Sequence, residues 1–290
     1  MSAIRIEHLK KNYGKHIGVK DVSFTVEYGE VFGFVGPNGA GKSTTIKTLM
    51  GFIRADGGKS QICDLDVVKD SKKIKTFTGY VPSDVRLYSD MKVEELLRRS
   101  DSFYHGDHSD EIRRLCDLFE IAAGKRFSEF STGNKKKVSI ICALAVNPKI
   151  IILDEPTSGL DPVMQKRLFG ELKSRTENGC AVLLSSHNLA EVQEYCDRAA
   201  FIKSGSILAV TDLKENTLQT KIVTLTGGNP SVSEKFELLS EKDNKRIFRT
   251  QQIGKELITT LNDLSPEDFN VENESIEERF WSIYGKGDAE

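Results

Sequence analysis

Gly36, Gly39, Gly41, Lys42 and Ser43 stand within GPNGAGKST (residues 36–44), in the order G-x-x-x-x-G-K-S. Glycine lets the backbone take positive φ, so amide N–H groups can approach a phosphate with no Cβ in the way. Lys42 is placed to reach β and γ phosphates as a point charge, Ser43 to hold Mg2+ through its hydroxyl, and Pro37, Asn38, Ala40 and Thr44 complete the cradle. The pattern predicts a nucleoside triphosphate site. A second group lies at residues 150–155, where the apolar run Ile-Ile-Ile-Leu ends in Asp154 and Glu155. Asp154 suits an Mg2+ ligand, and Glu155 is placed to polarise a water for attack on a γ phosphate. The plain structural alternative is that both carboxylates cap the next helix.

Such groups need a scaffold, and the flanking residues supply one. Residues 31–35 form an apolar strand that delivers the glycine loop, and residues 43–50 an amphipathic helix whose positive end faces the triphosphate. Residues 150–153 and 181–185 are short, fully apolar runs of the kind buried in a parallel sheet, at whose carboxyl edge ligands bind. Ahead of the loop, Ile4, Ile6 and Leu9, then Val22, Phe24 and Val26, alternate with polar residues and predict antiparallel strands against which a base could rest. Residues 93–121 change to helical spacing (Leu96, Leu97, Phe103; Ile112, Leu115, Leu118, Phe119), a mostly α insertion. Beyond residue 211, β-like runs at 222–225, 236–239 and 247–250 and helical stretches at 253–261 and 276–284 predict a separate small α+β domain. Its last stretch carries an apolar stripe, Ile276, Phe280, Ile283 and Tyr284, with Trp281 beside it.

Composition narrows the class. The formal net charge of −2 over 290 residues gives no global attraction to nucleic acid, and Lys135, Lys136 and Lys137 read as a solvated helix face. Five cysteines with no C-x-x-C pair suggest neither a disulfide framework nor a zinc site, which fits a reducing cytoplasm. No apolar stretch approaches the ~20 residues that span a bilayer, so the chain is not expected to cross a membrane by itself.

Taken in order, these motifs resemble the ATP-binding cassette family, the ATPase subunits of ABC transporters, over about residues 3–215. GPNGAGKST matches Walker A, IIILDE (residues 150–155) Walker B, SGLD (residues 158–161) the D-loop, and LSSH places His187 at the switch histidine. FSTGN (residues 130–134) is a degenerate copy of the LSGGQ signature: Ser131 and Gly133 match, whereas Thr132 and Asn134 depart. The resemblance implies a P-loop NTPase of ABC type: an α/β fold with an antiparallel β subdomain, a helical insertion at about residues 83–130, and an ATPase domain over residues 1–215. Residues 216–290 would then be a small accessory domain. ATP and Mg2+ are the implied cofactors.

By the same resemblance, two cassettes sandwich two ATP molecules, so that Ser131 and Gly133 touch the γ phosphate held by the facing copy. A helix N-cap at Ser131 is compatible with that role. Tyr13 matches the aromatic that stacks on adenine, with a strand-packing role as the alternative. Asp161, ahead of Pro162, either bridges protomers or caps a helix. Ser83, in GYVPSDV, stands where the family has a glutamine, too short to reach Mg2+ except through a water, with Asp84 as a neighbouring substitute. The implied partners are an integral-membrane permease docked on the insertion and a second cassette, identical or different, at the cytoplasmic face of the cell membrane; no nucleic acid is expected. The sequence looks more like the ATPases of ABC-2 type exporters than like importer subunits. Two readings stay open beside it: a weakly hydrolysing regulatory cassette, suggested by Ser83 and Thr132, and a soluble ABC protein acting on ribosomes or DNA.

Overall fold

In the computed structural model, residues 2–14, 16–214, 220–227, 236–242 and 244–274 are described. They form two compact units, Met1–Thr211 and Asp212–Glu290. The helix expected over residues 276–284, with Trp281, lies outside the described residues.

The first unit begins with β1 (Ser2–Tyr13) and β2 (His16–Glu27), an antiparallel pair, followed by β3 (Val31–Val35), α1 (Lys42–Leu49), β4 (Gly57–Ile62), β5 (Leu65–Asp66), α2 (Ser71–Lys75) and β6 (Thr78–Val81). The insertion holds α3 (Val93–Asp101), α4 (Ser109–Leu118) and a 3-10 turn at Phe127–Glu129. Then come α5 (Thr132–Leu144), β7 (Ile150–Asp154), α6 (Pro162–Glu177), β8 (Ala181–Ser186), α7 (Leu189–Tyr195), β9 (Arg198–Lys203) and β10 (Ser206–Asp212). The strands follow one order, β5-β4-β1-β2-β10-β9-β3-β8-β7-β6. β3 pairs in parallel with β8 and β9, and β7 with β6 and β8.

That order explains the sequence patterns. β3, β7 and β8 are buried on both faces and read as continuous apolar runs, whereas β1 alternates because one of its faces meets water. A single core joins the two kinds of sheet: Ile4, Ile6 and Leu9 pack in one cluster with Phe32, Phe34, Ile46, Ile150 and Leu183. Phe24 holds the seam, stacked on Phe32 at 5.2 Å between ring centroids and tilted on Phe34 at 5.1 Å. The antiparallel strands and the phosphate-loop strand are thus fixed to one another by burial rather than by a linker.

The second unit holds β11 (Lys221–Thr226), β12 (Phe236–Lys242), β13 (Lys245–Thr250), α8 (Gly254–Leu264) and β14 (Asp268–Asn273) in the order β12-β13-β11-β14. Leu257, Leu261 and Leu264 of α8 bury against Val223, Leu225 and Phe248 of the sheet. β14 was not anticipated; its only apolar alternation is Phe269 and Val271 among charged and amide residues.

Candidate nucleotide site

The glycine loop leaves β3 at its carboxyl end and turns into α1. Two of its glycines are required: a Cβ at Gly36 would lie 2.3 Å from the Ile202 carbonyl oxygen, and Gly41 has φ 112° with a Cβ 2.6 Å from the Gly18 carbonyl oxygen of β2. Gly18 in turn lies under the Tyr13 ring, where an added Cβ would come within 2.8 Å of it. One glycine of β2 therefore separates the aromatic ring from the phosphate loop. Tyr13 is half exposed, with the Lys11 ammonium 5.6 Å from its ring centroid. That leaves aromatic surface free for stacking.

Lys42 is 5% exposed, and its ammonium turns back into the loop. Nζ donates to the carbonyls of Gly36 (2.7 Å) and Pro37 (3.2 Å) and pairs with Glu155 Oε1 at 3.3 Å. A buried ammonium must be partnered, and here loop and carboxylate partner it together. Pro37, Asn38 and Gly39 are exposed at the tip, Ala40 is buried, and the Thr44 carbonyl accepts from the Thr48 hydroxyl.

β7 and β8 bring the acidic group to the loop from the other side. Asp154 is fully buried; Oδ1 accepts from Ser43 Oγ (3.1 Å) and Ser185 Oγ (2.7 Å), while Oδ2 is buried with no hydrogen-bond partner. An orphaned carboxylate oxygen beside a serine hydroxyl is a donor set suited to a small hard cation. Ser43 and Asp154 are the residues that would hold Mg2+. Glu155 takes a left-handed backbone, φ 49°, held by its amide donating to Ser185 Oγ at 3.0 Å. The other carboxylate oxygen, Oε2, accepts from His187 Nδ1 at 3.1 Å, and His187 remains 56% exposed. Lys42, Ser43, Asp154, Glu155 and His187 thus meet at one sheet edge, linked through Ser185. In the sequence Ser185 is the end of the run 181–185 and a letter of LSSH; its role is legible only once β7 and β8 are paired, Asp154 against Ser185.

The signature turn lies elsewhere. Ser131 is exposed and caps α5, its Oγ accepting from the Asn134 amide at 3.3 Å, and no hydrogen bond among the described residues joins it to residues 36–44. Gly133 packs on the D-loop so closely that a Cβ would sit 2.3 Å from the Gly159 carbonyl oxygen. Asp161 caps α6, accepting from the Met164 amide at 3.0 Å, and that bond holds its carboxyl below the usual range. The cap reading of Asp161 is therefore present within one chain. Thr132 is exposed.

Ser83 makes no direct bond in the site, and the expectation for the lysine run needs correction. The Ser83 side chain is exposed and has no hydrogen bond; the position connects through its backbone carbonyl, and Asp84 pairs with Arg86 at 2.7 Å instead. Neither side chain is hydrogen-bonded to Ser43 or Asp154. The lysine run is no solvated face: Lys136 is 2% and Lys137 8% exposed, because α5 lies between β6 and the insertion and buries more than half of its circumference.

Comparison with known proteins gives the family and the fold. The sequence model of the ABC transporter family matches residues 19–158. A linearmycin resistance ATP-binding protein of Bacillus subtilis is 34% identical, over 77% of this chain and 74% of its own length. A Nod factor export ATP-binding protein of Paraburkholderia xenovorans is 34% identical over 72% and 70%. A solved ATP-binding subunit of an ABC transporter superposes with a TM-score of 0.71 at 30% identity, covering 75% of this chain and 93% of that one. The chain belongs to the ATP-binding subunits of ABC transporters. Its fold is the P-loop fold of those cassettes, with a further α+β region at the C-terminal end.

Proposed function

We propose that this chain hydrolyses ATP to drive a separate membrane permease, in the direction of export, by ATP-dependent pairing of two cassettes. The observation that carries the hydrolytic part is the Lys42–Glu155–His187 chain, with Asp154 Oδ2 left unpartnered beside Ser43. An arriving triphosphate offers Lys42 Nζ phosphate oxygens in place of the Gly36 and Pro37 carbonyls, which frees Glu155. The freed carboxylate accepts a proton as a water oxygen bonds to the γ phosphorus, and the bond to the β-γ bridging oxygen breaks to leave ADP and phosphate. His187 Nδ1–H keeps Glu155 Oε2 oriented. Ser43 and Asp154 would hold Mg2+, which would supply neutralisation of the phosphate charge.

The exposed Ser131 turn, which has no hydrogen bond to residues 36–44 among the described residues, supports a second cassette that receives it. For the permease, support comes from a groove of about 430 Å3 between β6 and helices α3 and α5, lined by Tyr80, Leu87, Leu96 and Phe103. Phe103 is 77% exposed, which suits a partner's apolar helix, and Lys75 and Arg99 on the rim suit a carboxylate on it. Among the described residues no helix is long and apolar enough to cross a membrane, so a permease would be a separate chain or segment. Export is favoured by the relatives named for resistance and for Nod factor export.

The test compares wild type with Glu155→Gln for ATP turnover, and by light scattering for ATP-dependent pairing. The variant should lose about 100-fold or more in turnover yet accumulate as an ATP-bound pair. Equal turnover would remove Glu155 from its role, and a variant that stays monomeric at saturating ATP would refute pairing. Capture of a membrane protein from detergent extracts should be lost in Phe103→Asp; unchanged capture rejects the groove as the dock.

A further inference from the structure

Lys136 takes no part in the chemistry above, yet it is among the most completely buried large side chains of the protein. It sits five residues beyond Ser131 on α5, and its ammonium donates to the carbonyls of Pro82 (2.9 Å) and Ser83 (2.7 Å). Burial pushes its basicity down, while the charges of Asp154, Glu155 and Asp84 oppose that shift. One cation thus touches the loop after β6, is carried by the helix that presents Ser131, and lies within electrostatic reach of both carboxylates at the end of β7. No neutral side chain of that length gives three N–H donors and a charge together.

We propose that Lys136 is a positioning residue that ties the loop at Pro82 and Ser83 to α5, so that the entrance to the helical insertion moves with the Ser131 turn. The tether runs through backbone carbonyls and so does not depend on which side chain stands at residue 83. It accounts for a serine there whose side chain makes no hydrogen bond. Displacing α5 then displaces the wall of the aromatic groove, because Tyr80 precedes and Leu87 follows the tethered pair.

The test uses the full chain with Lys136→Met, which keeps the length and removes both charge and donors, and Lys136→Gln, which keeps a donor. Arg86, on the exposed part of the loop, reports its freedom through the rate of tryptic cleavage, with exposed Lys59 of β4 as the internal control. Lys136→Met is expected to raise cleavage after Arg86 at least tenfold relative to Lys59. It should also lower kcat for ATP at least fivefold with KM within twofold, and Lys136→Gln should fall between. If Lys136→Met fails to fold, the intermediate cleavage of Lys136→Gln is the deciding measurement. A ratio of the two cleavages unchanged in the folded variants, or a raised KM with kcat intact, overturns the proposal.

Discussion

Ser185→Ala removes one oxygen that holds two strands' worth of chemistry. Ser185 Oγ donates to Asp154 Oδ1 at 2.7 Å and accepts the Glu155 amide at 3.0 Å, with Ser185 and Asp154 both fully buried. Loss of a hydrogen bond to a buried carboxylate costs about 1.5–3 kcal/mol, and an orphaned buried amide about 1–3 kcal/mol. Ser43 Oγ still donates to Asp154 Oδ1, which holds the total near the lower half of the sum, about 3 kcal/mol. For a unit of this size that is a fall in Tm of about 6–12 °C. The kinetic consequence is more specific, because Glu155 keeps a left-handed backbone that costs about 1–3 kcal/mol and the Ser185 hydroxyl is what its amide rests on. Relaxation of that residue withdraws the carboxylate from the attacking water, while Lys42 and Ser43 still grip phosphate. We expect kcat to fall at least tenfold with KM for ATP within threefold, read by steady-state ATPase assay beside urea unfolding. A cycle with Asp154→Asn should show coupling of about 1 kcal/mol or more. Stability within about 1 kcal/mol of wild type together with an unchanged kcat would refute the reasoning.

Gly133→Ala pits helix propensity, a gain of about 1 kcal/mol, against a Cβ placed 2.3 Å from the Gly159 carbonyl oxygen. Backbone cannot yield as a side-chain tip does, so the signature turn and D-loop must part; ATPase should fall at least tenfold while Tm moves only a few degrees, and retained turnover would reject the contact as functional. A pH effect is expected at the ring of Glu111, Arg114, Glu171 and Arg175, whose ion pairs of 2.6–2.8 Å lie once within α4, once within α6 and twice between the two helices. The Arg114 hydrogen bond holds the Glu111 carboxyl below its ordinary range. Its stabilisation is therefore complete above the unfolded value, about 4.3, and is lost as pH falls through the lower folded value. Wild type should lose Tm faster than Glu111→Gln on acidification from about pH 5, and parallel curves would count against the ring.

The phosphate loop, both carboxylates and His187 were legible because each chemical role is written as a local string on a strand or at its end: GPNGAGKST after VFGFV, DE after IIIL, H after LLSS. Periodicity also found the antiparallel start and the insertion, since their faces differ in exposure. Contacts set only by the order of strands were not legible. That Gly18 separates Tyr13 from Gly41, or that Ser185 serves Asp154 and Glu155, requires knowing that β2 flanks the loop and that β7 lies beside β8. Lys136 misled for the same reason. Three consecutive lysines look like water-facing charge, and only the packing of α5 against β6 and α3 reveals that the middle one points inward at carbonyls.

The insertion is held to the rest of the first unit from two sides, and the two ties differ in kind. At the back, α6 is bound to α4 by the ring of charges and by Arg167, which donates to the Leu118 carbonyl at 2.7 Å and pairs with Glu120 at 2.8 Å. At the front, Lys136 binds the entering loop with two hydrogen bonds from one buried cation. The ring is partly exposed and made of long side chains, so it can pivot without breaking; the front tie is short, desolvated and has no slack. A rotation of the insertion about the α4–α6 contact would place the greater displacement on the Ser131 turn and the aromatic groove. The same α6 begins at the Asp161 cap beside Gly159, against which Gly133 packs. Nucleotide-dependent movement of the signature turn would then be felt at both ends of that lever, and cleavage after Arg86 should change on ATP binding in Glu155→Gln but not in Glu155→Gln with Lys136→Met.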